Sequence, residues 1–95
     1  PQLHAPERAL EALAAIARGR DPDLAPAAAL SMLEIARTLD PQALDAREVM
    51  REELSPAHAA IAQLAGDDTA RADLRRVAYI VLAALDAAGV PTPAT

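Results

Sequence analysis

Three prolines in this chain each follow an aspartate or a serine: Asp21–Pro22, Asp40–Pro41 and Ser55–Pro56. Proline lacks an N–H and its ring clashes with the preceding turn, so it suits the first turn of a helix and disrupts the interior. An Asp or Ser just before it can accept the free N–H groups of that first turn. These pairs read as helix starts, and Gly19, Gly66 and Gly89 read as stops. Such punctuation leaves room only for short helices.

Read this way, a first helix runs over about 6–18, entered through Pro6, with Leu10, Leu13, Ala14 and Ala17 on one face. Arg8, Glu11, Ala15 and Arg18 lie opposite. A connector at 20–26 leads to a second helix, about 25–39, whose Leu30, Met32, Leu33, Ile35 and Leu39 wrap most of its circumference. The third, about 41–54, is expected to point Leu44, Val49, Met50 and Leu54 inward and Asp45, Arg47, Glu48, Arg51, Glu52 and Glu53 outward. A short fourth helix covers about 56–65. Asp67, Asp68 or Thr69 is expected to cap a final one, about 69–88. No stretch alternates with period two, which argues against a sheet. The sequence therefore predicts an all-α fold: a compact bundle of four to five short helices, the last central and most buried. Residues 1–5 read as an irregular lead-in, 6–89 as one helical domain and 90–95 as a tail or linker.

What can fill that core is limited. Hydrophobic residues make up 53% of the 95, but 26 of them are alanine, which favours helix more than it fills space. Phe and Trp are absent, and Tyr79 is the only aromatic residue. The densest apolar stretch is RRVAYIVLAALDAAG at 75–89, too short to span a bilayer. A helix apolar on nearly every side must be covered nearly everywhere. Self-association is one way to cover it.

Few residues suggest chemistry. Without cysteine, thiol nucleophiles, disulfides and Cys-ligated metals are excluded. His4 falls in the lead-in and His58 near a helix start, and neither shares a helix face with a second ligand; both are expected at the surface or near a cap. Of the acidic pairs, Asp21 with Asp23 and Asp67 with Asp68 sit where helices begin and read as caps, while Glu52 and Glu53 read as a solvated face. Ser31 and Ser55 have no neighbouring base, and no glycine-rich phosphate loop occurs. No catalytic, cofactor-binding or metal-ligating residues are therefore singled out, and no cofactor is expected.

The positive signal is at the start of the last helix, where Arg71, Arg75 and Arg76 gather. Cations near a helix N-terminus are disfavoured, so they need compensation, either from Asp68, Asp73 and the acidic third helix or from an acidic partner, a protein surface or nucleic-acid phosphate. Together with Tyr79, an aromatic side chain of the kind that anchors interfaces, they form the expected partner-binding set. The net charge of −5 disfavours general binding to nucleic acid or membrane surfaces.

The stretch IARTLDPQALDAREVMREEL at 35–54 resembles small helical phage packaging subunits. Those proteins are richer in basic residues and carry a helix-turn-helix segment that is not found here, so no residue role is carried over. An internal echo, AAIARGRDPD at 14–23 against AAIAQLAGDD at 59–68, suggests two related hairpins. Aligning Gly19 with Gly66 sets Leu30, Met32, Leu33 and Ile35 on Val77, Tyr79, Ile80 and Leu82. The sequence points first to a non-enzymatic interaction or assembly module, self-associating or docking to a larger protein in the cytoplasm. The alternatives are a nucleic-acid-associated phage or regulatory protein using Arg71, Arg75 and Arg76, and a helical enzyme or ligand-binding bundle.

Overall fold

The computed structural model describes residues 5–19 and 21–92. His4 and the rest of the lead-in before Ala5, like the last three tail residues, lie outside this range. Among the described residues there are five α-helices and no strand: α1 Leu10–Arg18, α2 Leu24–Ala36, α3 Pro41–Ala46, α4 Ser55–Ala65 and α5 Ala72–Ala87. Two 3-10 turns, Pro6–Ala9 and Arg51–Leu54, lead directly into α1 and α4. α1 packs on α2 and α4, and α5 packs on the same two helices. The four make a ring around one core, in a slab of 36 × 35 × 17 Å.

Two of the proline signals act as expected. The Asp40 carboxylate accepts the Ala43 N–H at 2.7 Å, and Asp21 accepts those of Asp23 and Leu24 at 2.8 and 2.9 Å. Ser55 does not cap. It already has helical backbone angles, and no side-chain bond closes the start of α4. The capping of α5 also differs from expectation: Asp67 accepts the Thr69 N–H and hydroxyl in a local turn, and the extended Arg71 precedes the helix.

The third helix is shorter than predicted. It closes after Ala46, with Glu48 in the left-handed region (φ 57°) and the Val49 N–H reaching back to the Leu44 carbonyl. This closure folds Val49 onto the core beside Leu44. The break resets the helical register, so Met50, expected inside, is exposed. Arg47 and Arg51 also leave the expected outward face. Arg47 pairs with Glu7, and Arg51 Nε donates to the Ala88 carbonyl at 3.1 Å, a cation at the end of α5. Gly89 closes α5 in the same left-handed manner (φ 86°), and the Val90 N–H bonds to the Leu85 carbonyl. Val90, read from sequence as tail, is buried by that closure.

Burial on α5 is one-sided, which narrows the expectation of a central, most buried helix. Leu74, Ala78, Val81 and Leu85 enter the core, while Tyr79 and Ile80 stay 61% and 47% exposed. The expected hairpin register fails here too, because buried Met32 would match exposed Tyr79. Burial instead aligns Ala14 with Ile61 and Ala17 with Leu64, then Ala25 with Leu74, Met32 with Val81 and Ala36 with Leu85.

Candidate interaction surface on α5

The expected site residues all lie on the first half of α5 or just before it, but they do not form one free basic patch. Arg71 pairs with Asp73 at 3.0 Å, and Arg75 lies 3.9 Å from Asp68. The compensation expected from these two aspartates is therefore present within the chain. Arg75 is the more enclosed of the two, and its Nε is buried without a hydrogen-bond partner. Arg76 is exposed and makes no ion pair among the described residues.

Tyr79 lies one turn beyond Arg75 and Arg76 with Ile80 beside it, and both side chains face solvent. Ile16, Leu24 and Met50 are exposed singly on other elements, which is ordinary for a protein surface. Tyr79 and Ile80 are neighbours on one helix and sit between the basic entrance and Asp86. Toward α2 the surface dips into an apolar groove lined by Pro26, Leu30, Leu74 and Val77, with Leu30 63% exposed.

That groove meets a second depression through Pro26 and Leu74. It is an open cleft of about 270 Å³ where the α1–α2 and α4–α5 turns come together. Ala17, Ala25 and Leu74 contribute its apolar lining, and Arg18, Asp21, Asp67 and Arg71 its charge. These charges are already engaged. Arg18 donates to Gln63 at 2.7 Å and lies 3.9 Å from Asp67, and Arg71 holds Asp73. The Leu24 N–H, then that of Asp23, holds the Asp21 carboxyl below its ordinary value of 3.8. Among the described residues no cluster of three His, Cys, Asp or Glu side chains could hold a metal ion.

Two polar contacts escaped the sequence reading. His58, expected at the surface or near a cap, is 7% exposed and sits on α4 with its Nε2 2.9 Å from Asp86 of α5. Glu7 is fully buried against Arg47, with its second carboxylate oxygen unpartnered. Both contacts link residues far apart in sequence, so no local spacing could have announced them. No described helix is long and apolar enough to cross a membrane. No family model matches the chain, and neither a curated protein nor a solved structure does.

Proposed function

We propose that the chain is a non-enzymatic helical interaction or assembly module whose contact surface is the outer face of α5. The observation carrying this reading is the adjacent exposure of Tyr79 and Ile80, 61% and 47%, on a helix whose opposite face supplies the core. Apolar side chains with no role in the core gain most when a partner removes them from water. Tyrosine suits such a place because its ring is apolar and its hydroxyl tolerates the wet rim.

The test separates binding from folding. Tyr79→Ser combined with Ile80→Ser is expected to leave helix content and the dilute-solution melting temperature within a few degrees of the parent, since exposed positions contribute about 0.5 kcal/mol or less. The parent is expected to show a concentration-dependent rise in mass in sedimentation, and the same variant to lose it. A large fall in melting temperature at high dilution would mean these side chains serve the fold, and the reading would fail.

The phosphate-binding alternative has less support, because Asp73 and Asp68 already lie against Arg71 and Arg75. A salt-dependent shift of DNA or RNA that Arg75→Glu weakens would favour it instead.

A further inference from the structure

Building on the interaction-module reading, we propose that the partner on the α5 face is a second copy of this chain, its α5 running antiparallel to the first. Arg76, Tyr79, Ala83 and Asp86 recur every three or four residues and form one exposed stripe along α5. The stripe carries opposite charges at its two ends. Arg76 has no ion pair within the chain among the described residues. Asp86 is 61% exposed, and the contact with His58 engages only its Oδ1. At about 1.5 Å of rise per residue the two charges stand roughly 15 Å apart, too far to satisfy each other on one helix.

A second α5 satisfies both, in one orientation only. Set parallel, it would put Arg76 against Arg76 and Asp86 against Asp86, and like charges repel. Set antiparallel, with the two-fold axis passing at the level of Val81, Arg76 of each copy meets Asp86 of the other. The same register lays Tyr79 over Ala83 of the other copy, so the largest side chain of the stripe meets its smallest. Every contact then occurs twice, the self-complementarity a two-fold dimer requires. Ile80 flanks the stripe on the side of the groove that holds Leu30. One helix per copy gives a small interface, so a weak, concentration-dependent dimer is expected.

Charge exchange tests this on the full chain. Sedimentation across a wide concentration range should show the parent passing from monomer to dimer. Arg76→Glu alone, and Asp86→Arg alone, should each weaken the dimer at least tenfold, because each sets two like-charged pairs face to face. An equimolar mixture of the two variants should regain dimer, since both altered positions then meet opposite charges. Asp86→Asn keeps an acceptor for His58 and should weaken the dimer less while leaving the monomer's melting temperature in place, which separates interface from fold. The chain has no cysteine, so Tyr79→Cys mixed with Ala83→Cys should yield the mixed disulfide faster than either homodisulfide. A parent that stays monomeric throughout overturns the second-copy proposal. A dimer indifferent to both charge variants, or a mixture that fails to restore it, overturns the antiparallel geometry while leaving a self-associating module standing.

Discussion

In the first hairpin, α1 and α2 turn six alanines inward, with Leu10 and Met32 as their only large buried apolar side chains. In the second, α4 and α5 turn in Ile61, Leu64, Leu74, Val81 and Leu85, with three alanines. The two hairpins share one burial pattern and fill it with different sizes of side chain. Small residues let helices approach closely, and large ones fill the space that remains. Hydrophobic stabilisation is therefore concentrated in α4 and α5, at about 1.5–3 kcal/mol for each large side chain fully buried. The first hairpin contributes close fit more than buried area. The segment between them ties down both: Arg47 reaches Glu7 at the entry to α1, and Arg51 reaches the Ala88 carbonyl at the end of α5.

The largest expected effect tests that tie. Arg47→Met leaves the Glu7 carboxylate buried without its cation and should cost about 3–5 kcal/mol in urea unfolding. Adding Glu7→Leu should recover most of the loss, because a buried pair replaced by apolar groups is close to neutral. If Arg47→Met is harmless, the connector does not hold the first hairpin.

Next come changes of size, which should hurt in opposite directions. Leu64→Ala opens a cavity in the second hairpin and should cost about 2–5 kcal/mol. At the matching position of the first, Ala17→Leu overfills a close contact and should cost about 1–3 kcal/mol. An Ala17→Leu chain that melts at the parent's temperature, or a Leu64→Ala chain that does, would dissolve the contrast.

Smaller effects separate true caps from apparent ones. Asp40→Ala removes the acceptor for the Ala43 N–H and should cost about 1 kcal/mol. Ser55→Ala removes no capping bond and should cost a few tenths of a kcal/mol at most. The smallest effect is at the turn that opens α2. The folded-state pKa of Asp21 is depressed, so its contribution is present above the unfolded value near 3.8 and is lost as pH falls through the lower folded value. Asp21→Asn should therefore flatten the fall in melting temperature between about pH 5 and about pH 2, with any loss falling at neutral pH, where the charged carboxylate acts, and not in acid.

These contrasts also mark what could be read from sequence. Asp40–Pro41 located a helix start and Asp21–Pro22 the turn that leads into α2, because capping and the proline ring act on the backbone nearby. The closure at Glu48 gave no warning: glutamate is not a residue that favours the left-handed region, and DAREVMREEL keeps a helical pattern across the break. That turn puts Met50 in solvent, against the helical pattern, and brings Arg47 to Glu7. On the candidate surface, Arg71, Arg75, Arg76 and Tyr79 were legible as residues near the start of one helix. Asp68 and Asp73 were legible as partners for them, but which arginine each takes was not, since Asp68 can pair with Arg75 only after the turn before α5 is folded.

The sequence by itself determined an all-helical chain of short segments, the amphipathic face of α1 and the absence of thiol chemistry. Each follows from local backbone sterics, from periodicity within a single helix, or from composition. Tertiary structure decided which side of the apolar α5 is covered, because that depends on where α2 and α4 run out of surface to offer it. It also decided that His58 and Glu7 are buried, each against a charged partner distant in sequence. Tyr79 and Ile80 are left in water for the same reason: a thin ring of four helices buries the inner side of α5 and has nothing to lay over its outer side.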